Sequence, residues 1–179
     1  MKKNQPLHYQ KCNIDLEKID NIEDVLSLIC ENIEELDLAR FELRGFGKSL
    51  WPVDVSTDLL TILEQLPDFL IFLNDTNCQQ GCLKLYEQGI EKKLFFNKHD
   101  HVLIINCKSL SNANSNNNEI KRDWGIESEE ESIEIDKLID MIGELIAVFI
   151  SLSNEYFPEL TNHEIFNGWH KIFIPHLKE

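Results

Sequence analysis

Histidine and cysteine side chains occur in two short patterns that could contribute ligands to a transition metal. His99 and His101 are separated by one residue, and Cys107 follows on the next apolar run. Alternate residues of a strand share one face, so the two imidazoles would point the same way. Cys78 and Cys82 form a single C-x3-C pair. A structural zinc site needs four ligands, and neither pattern has a second pair at a suitable spacing, so the histidines are interpreted as polar residues of a hairpin turn.

The sequence lacks the motifs of nucleophilic and nucleotide-dependent enzymes. There is no G-x-S-x-G nucleophile elbow, no Walker P-loop and no G-x-G-x-x-G dinucleotide fingerprint. His163-Glu164 lacks the second histidine that a zincin helix carries. The sequence therefore favours a protein that is not an enzyme and needs no cofactor. A small metal-dependent hydrolase using His99 and His101 is kept as a weaker alternative.

Acidic residues are concentrated in two blocks of the chain. The sequence has 17 basic and 32 acidic residues, which gives a net charge of −15 at pH 7. Residues 13–37 carry −8 and residues 127–179 carry −9, whereas residues 38–126 carry only −1. A protein this acidic repels phosphate backbones at long range, so no nucleic-acid partner is expected.

The first acidic block has the pattern of an amphipathic helix. Apolar residues between Ile22 and Leu36 recur at three- and four-residue spacing, and the acids lie on the opposite side within about 120° of arc. No lysine or arginine interrupts this stripe. Two interpretations remain open: a solvated face that keeps the protein soluble, and a docking face for a basic partner. The residues assigned to that docking face are Glu23, Asp24, Glu31, Glu34 and Glu35.

The second block, IESEEESIEIDK, precedes a long apolar pattern. Ser128 and Glu131 match a capping box, and acids in the first turn of a helix stabilise it through the helix dipole by about 0.3–1 kcal/mol each. Trp124 lies beside these acids, and a large aromatic residue with a charged surround is typical of an interface anchor. The residues of this segment assigned to partner binding are Trp124, Glu127, Glu129, Glu130 and Glu131.

Apolar runs separated by turn residues predict an antiparallel sheet. CLKLYEQG, KKLFFNKHD and HVLIINCKS, which lie within residues 82–109, have the pattern of a three-strand meander. An additional strand is predicted at residues 41–45 or, near the end of the chain, at residues 172–174.

Helical patterns flank the predicted sheet on both sides in the sequence. Ser56 or Thr57 is a suitable N-cap for a second helix that Pro67 should close, and residues 67–74 are either a short helix or a buried strand. A long helix over about residues 131–157 is apolar around more than half of its circumference, so it should be central and largely buried. The predicted class is α+β, with the sheet packed against this long C-terminal helix and two or more N-terminal helices.

The length of 179 residues fits a single domain, 1–179, with a polar surface loop at about residues 111–126. The N-terminal segment lacks the apolar run of a secretory signal, and the longest apolar stretch carries Asp140 and Glu144, which makes it too charged to span a bilayer. Five cysteines without framework spacing indicate reduced thiols. A cytoplasmic location with no membrane partner is therefore expected, and the oligomeric state is left open.

Three short segments carry a resemblance to a known class of proteins: FELRGFG at residues 41–47, WPVD at residues 51–54 and YEQGIE at residues 86–91. Together with the length, the acidity and the α+β pattern, they resemble the small immunity proteins of bacterial contact-dependent growth inhibition and polymorphic-toxin systems. The resemblance implies a cytoplasmic protein that binds a cognate toxin domain tightly and blocks its active site or its access to substrate. The toxins of such systems are often basic nucleases. An acidic adaptor or scaffold protein with no inhibitory role is the alternative.

Overall fold

Along the chain, apolar residues recur with the helical period in some segments and with the strand period of two in others. The helices and strands of the protein follow this pattern. The computed structural model describes residues 19–47, 50–85, 92–109 and 130–175. A helical N-terminal part leads into a four-stranded antiparallel sheet, and a helical C-terminal part follows, which confirms the α+β class. In chain order the elements are α1 (Ile22–Glu35), a π-helical turn (Val55–Leu59) continuous with α2 (Leu60–Asn74), β1 (Gln80–Leu85), β2 (Lys92–His99), β3 (Val102–Ser109), β4 (Glu130–Glu134), α3 (Ile135–Tyr156), α4 (Pro158–Thr161) and α5 (Glu164–Phe173).

The sheet is a meander in which each strand pairs with the strand that follows it in the chain. The order is β1-β2-β3-β4, and all three pairings are antiparallel. Strands β2 and β3 are joined by a tight turn in which Asp100 has a positive φ of 54°, a conformation that aspartate tolerates. The three-strand meander and the hairpin between His99 and His101 are therefore confirmed.

Helix α2 packs against one face of the sheet, called here the inner face; the opposite side is the outer face. Gly81 lies so close to Phe72 that a Cβ at this position would be 2.9 Å from the Phe72 ring. Lys98 donates to the carbonyl oxygen of Phe72 and, at 2.7 Å, to that of Asp75. Its ammonium also lies 4.4 Å from the centroid of the Phe72 ring. A lysine in this position satisfies carbonyl groups at the C-terminal end of α2, where the helix dipole favours a cation.

The main core lies between the inner face and helices α1, α2, α3 and α5. Fully buried members come from every one of these layers, and burying each such side chain contributes about 1.5–3 kcal/mol. Trp169 packs edge-on against Phe173 with 4.7 Å between ring centroids, which ties α5 into this core. Representative fully buried residues are Leu26, Leu63, Leu70, Leu103, Ile146 and Phe173.

A smaller apolar cluster fixes the irregular segment between α1 and the π-helical turn. Phe46 and Trp51 are each 5% exposed, and they pack with Leu85 of β1 and Cys107 of β3. The indole Nε1 of Trp51 donates to the carbonyl oxygen of Gly45 at 3.1 Å, so this buried polar group is satisfied. Packing in this cluster therefore buries Trp51.

The second acidic block forms a strand where the sequence predicted the start of a helix. Residues 130–134 pair with β3, and α3 begins only at Ile135. Glu131 and Ile133 point to the inner face, opposite Ile105 and Leu103, which is the period of two that defines a strand. The capping box predicted from Ser128 and Glu131 is therefore wrong, because Glu131 lies inside the strand. The predicted polar loop at about residues 111–126 lies outside the described residues.

Helix α2 continues through Pro67, so the prediction that this proline closes the helix is wrong. Proline removes one backbone hydrogen bond and crowds the preceding turn, which usually interrupts a helix. Here buried residues on both sides of it, Leu63, Leu66, Phe69 and Leu70, anchor both halves to the core, and the helix stays continuous from Leu60 to Asn74. The N-cap is Asp54 of the π-helical turn, which accepts from the backbone of Thr57 at 2.8 Å, and not Ser56 or Thr57.

Three further sequence predictions differ from the structure. Residues 172–174 were expected as an edge strand, but Ile172 and Phe173 lie in the last turn of α5. Residues 41–45 contribute a single bridge residue at Gly45 and no continuous strand. Helix α3 is also less enclosed than its pattern indicated, since Met141 is 51% and Val148 57% exposed.

Candidate interaction surface on helices α1 and α2

Helix α1 begins at a reciprocal cap that fixes its orientation on the core. The side chain of Asn21 accepts from the backbone N–H of Asp24 at 3.0 Å, and Asp24 Oδ2 accepts from the backbone of Asn21 at 3.2 Å and of Asp20 at 3.0 Å. This is a capping box in which both partners are present. Asp24, which the sequence assigned to partner binding, therefore stabilises the N-terminus of its own helix.

The buried side of α1 leaves its carboxylates in solvent. Val25, Leu26 and Ile29 are fully buried against the core. The remaining arc of the helix carries Glu23, Glu31, Glu34 and Glu35, all of which are exposed. The predicted amphipathic helix and its acidic stripe are confirmed as geometry.

Two of these carboxylates also make hydrogen bonds within the protein. Glu31 Oε1 accepts from the Ser27 hydroxyl at 2.9 Å along the same helix face. Glu34 Oε2 accepts from the backbone N–H of Ser56 at 2.7 Å, which joins α1 to the start of the π-helical turn. Both side chains stay exposed, but Glu34 also contributes to holding two elements together.

Glu64 of α2 extends the acidic surface beyond α1. Partial burial and the nearby charge of Glu23 raise the pKa of Glu64 above its ordinary value. Burial, followed by the charges of Glu64, Glu31 and Glu34, raises the pKa of the Cys30 thiol to about 12. The buried thiol therefore lies among carboxylates from both helices. The group is named here the acidic surface and consists of Glu23, Glu31, Glu34, Glu35 and Glu64.

Sequence reasoning missed Glu64 because no local signal marks it. The segment TDLLTILEQL predicts a helix, but which of its polar residues meets α1 depends on how α1 and α2 cross. The signal that was available is the helical period, which places Glu64 on the side away from Leu63 and Leu66.

The carboxylates of α1 have no cationic partner among the described residues. Arg40 lies 3.9 Å from Asp37, and Arg44 lies 2.7 Å from Glu42, in two pairs whose side chains are all more than half exposed. No described lysine or arginine pairs with Glu23, Glu31, Glu34 or Glu35. Within the described part of the chain, no cation therefore offsets the repulsion between these carboxylates.

The second acidic block divides between the two faces of the sheet. Glu130 and Glu134 are exposed on the outer face, opposite Asn106 and Val102 of β3. Glu131 is half-buried on the inner face, where Oε1 accepts from the backbone N–H of Phe46. Glu131 is therefore a structural residue of the Gly45–Gly47 turn. The remaining residues assigned to this block, Trp124, Glu127 and Glu129, lie outside the described residues.

The two acidic blocks lie on elements that pack against different parts of the protein. Helix α1 packs with α2, the π-helical turn and α5, whereas β4 packs with β3 and α3. The structure brings together the carboxylates of α1 with Glu64.

The residues considered as metal ligands do not form a cluster in the described part of the chain. His99 and His101 are exposed at the two ends of the β2–β3 turn, and Cys107 is buried in the small apolar cluster. Cys78 and Cys82 are free thiols. Within residues 19–47, 50–85, 92–109 and 130–175, no three His, Cys, Asp or Glu side chains are arranged to hold a metal ion.

Helices of the described residues lack the combination of length and apolar character that a bilayer span requires. Comparison with known proteins adds no relative: no family model matches the chain, and no curated protein or solved structure is significantly similar to it.

Proposed function

We propose that this protein is a non-enzymatic immunity protein that binds and neutralises a cognate bacterial toxin domain in the cytoplasm. The partner we infer is a basic domain, and a nuclease fits best because an enzyme that acts on phosphate backbones needs a positive active face. The observation that carries the proposal is the acidic surface, in which five carboxylates from two helices share one exposed region.

Repulsion between the carboxylates of α1 destabilises the helix, and the fold alone does not require this arrangement of charges. Like charges three or four residues apart on a helix destabilise it by a few tenths of a kcal/mol per pair, about 0.2–0.5. Glu31 lies four residues before Glu35 and three before Glu34, and α1 contains no basic residue. A basic partner would remove this repulsion on binding, and the complementary charge would accelerate the encounter.

The acidic surface predicts how binding should respond to substitution. Glu23→Gln/Glu31→Gln/Glu35→Gln removes three charges without touching the cap at Asp24 or the Glu34–Ser56 contact. We expect association with the toxin domain encoded beside this protein to slow by about tenfold or more at low salt, because steering contributes mainly to the on-rate. Stopped-flow or surface plasmon resonance measurements over a series of salt concentrations provide the readout.

A matched control separates local placement from net charge. Asp140→Asn/Glu144→Gln/Glu155→Gln also removes three exposed charges, but from α3. This variant should associate at nearly the wild-type rate. Equal slowing in both variants, or binding that ionic strength leaves unchanged, contradicts the acidic surface as the docking site.

Neutralisation itself is tested in cells. Co-expression with the neighbouring toxin domain should restore growth, and the α1 variant should restore it less well than the α3 variant. Continued killing by the toxin in the presence of the folded wild-type protein would contradict the immunity function.

A further inference from the structure

Strands β1, β2 and β3 carry a charge opposite to that of the protein as a whole. Their 22 residues include five lysines and no aspartate or glutamate. Lys92 and Lys98 belong to the inner face, where Lys98 binds the end of α2. The other three, Lys84, Lys93 and Lys108, belong to the outer face.

The three outer lysines form one row across the sheet. Lys84 is the register partner of Lys93, and Lys93 is the register partner of Lys108. Directly opposed residues have Cβ atoms about 4.5–5.5 Å apart, so the row is about 10 Å long. Like charges placed directly opposite one another destabilise a sheet, and this row contains two such pairs.

An aromatic ring next to the row holds two of the ammonium groups in place. The Lys93 Nζ lies 4.7 Å and the Lys108 Nζ 5.3 Å from the centroid of the Phe95 ring. Phe95 is half-buried and contributes to neither apolar cluster. The ring therefore positions cations on the outer face and does not extend the core.

The outer face is open over the described residues. None of the strand side chains on this face is buried, whereas the inner face buries Leu83, Phe96 and Leu103. The α2 side chains that meet the sheet, including Phe72, do so on the inner face. The outer lysine row, defined as Lys84, Lys93 and Lys108 beside Phe95, is thus a cationic strip on an anionic molecule.

We propose that the outer lysine row binds an acidic segment of another protein. Carboxylates complement the ammonium groups of Lys93 and Lys108, which both lie over the Phe95 ring. Glutamates one helical turn apart have Cβ atoms about 5–6 Å apart, which matches the Cβ spacing of directly opposed strand residues. A nucleic acid fits less well. Phe95 is the one aromatic ring among the described outer-face residues besides the imidazole of His99, whereas single-stranded sites stack successive bases on several rings.

The test compares binding of two labelled probes to the full-length protein by fluorescence anisotropy. The probes are an oligoglutamate peptide and a single-stranded oligodeoxynucleotide of the same net charge. We expect the peptide to bind more tightly than the oligonucleotide and to be released by salt. Lys93→Gln/Lys108→Gln should weaken peptide binding by about tenfold or more. The control Lys137→Gln/Lys171→Gln removes the same charge from exposed positions on α3 and α5 and should bind like the wild type.

Each alternative outcome overturns the proposal. Absence of peptide binding, equal loss in both double variants, or tighter binding of the oligonucleotide excludes an acidic protein segment as the occupant. Dimerisation that Lys93→Gln/Lys108→Gln abolishes would assign the face to a second copy instead. If that variant does not fold, Lys93→Arg/Lys108→Arg keeps the charges and must retain peptide binding. The inference is independent of the proposed immunity function, because the lysine variants leave α1 unchanged.

Discussion

Seven of the ten side chains that the sequence assigns to partner binding lie in the described residues, and their contacts give them different roles. Asp24 caps α1, and Glu131 accepts from the backbone of a turn, so both contribute to folding. Glu23 and Glu35 are exposed, and neither has a hydrogen bond or ion pair with another described residue that would explain its presence. A carboxylate looks the same in a sequence whether it binds a neighbouring N–H or only solvent. Its role becomes visible only through the distant residue that donates to it, such as Phe46 for Glu131.

Glu131 should contribute more to the free energy of unfolding than its neighbours on the same strand. It satisfies the N–H of Phe46 within the Gly45–Gly47 turn, where Gly45, Phe46 and Gly47 all have positive φ. We expect Glu131→Ala to lower the free energy of unfolding by about 1–3 kcal/mol, since a half-buried donor loses its charged acceptor. Glu134→Ala, on the exposed outer face, should change it by less than about 0.5 kcal/mol. Urea denaturation of both variants measures the difference.

Glu64 makes the stability of the protein depend on pH with a definite sign. Its pKa is raised in the folded state above the ordinary value of 4.5, so below pH 4.5 both states hold the proton. As pH rises from 4.5 through the folded-state pKa, the unfolded state releases the proton first and the folded state loses stability. Glu64→Gln should therefore raise the melting temperature at pH 7 and have little effect below pH 4. A gain of equal size at both pH values would contradict this linkage.

Cys30 and Cys82 should differ in reactivity towards alkylating reagents, because Cys30 is buried near carboxylates and Cys82 is exposed. The pKa of about 12 for Cys30, caused first by burial and then by Glu64, leaves almost no thiolate at neutral pH. Cys82 is exposed on the outer face of β1. Iodoacetamide should alkylate Cys82 in the native protein and Cys30 only after denaturation, as peptide mass spectrometry would reveal. Comparable labelling of both thiols under native conditions would exclude the packing described for α1.

At the level of whole elements, the sheet has two edges that are protected in different ways. The side-chain amide of Gln65 accepts from the backbone N–H of Lys84 at 2.9 Å and donates to its carbonyl at 2.8 Å, as a neighbouring strand would. At the other edge, β4 carries Glu130 and Glu134 on its outer face. Paired backbone groups and edge charges are both devices that prevent strands of separate molecules from associating.

Removing the amide of Gln65 should therefore have two effects. Gln65→Ala leaves the backbone groups of Lys84 without this partner, and we expect a loss of about 1–3 kcal/mol in the free energy of unfolding. The uncovered edge should also increase self-association, measured by light scattering at rising protein concentration. Gln80→Ala, at an exposed position of the same strand, serves as the control and should change neither quantity. Unchanged association of Gln65→Ala would mean that the edge is protected by something other than this amide.

Elements with a clear hydrophobic period could be predicted from the sequence, and elements defined by tertiary contacts could not. Helix α1 and the β1–β3 meander follow directly from their apolar spacing. The strand at 130–134 could not be distinguished from a first helical turn, because only its pairing with β3 favours the extended form. Pro67 likewise indicates a helix end unless the burial of Leu66 and Phe69 on either side is known. In the candidate site, the stripe on α1 was visible, whereas Glu64 depended on the contact between two helices.

Over the whole molecule, the positions of the charged side chains describe the surface better than the net charge does. Acidic side chains dominate α1 and the outer side of β4, whereas β1, β2 and β3 are basic. The acidic surface lies on α1 and α2, and the outer lysine row lies on β1, β2 and β3. At ordinary ionic strength, screening limits the reach of each charge to about 10 Å.

The separation of the acidic surface from the outer lysine row has a practical consequence for how the protein adsorbs to charged resins. With a pI of about 4.7, it is expected to flow through a cation-exchange resin at pH 7. A resin, however, meets only the side of the molecule that is turned towards it. At about 0.1 M salt, where screening limits the reach of more distant carboxylates to about 10 Å, sulfonate beads should retain the protein through Lys93 and Lys108. Quaternary-amine beads should retain it through α1, so the same molecule adsorbs to both in different orientations.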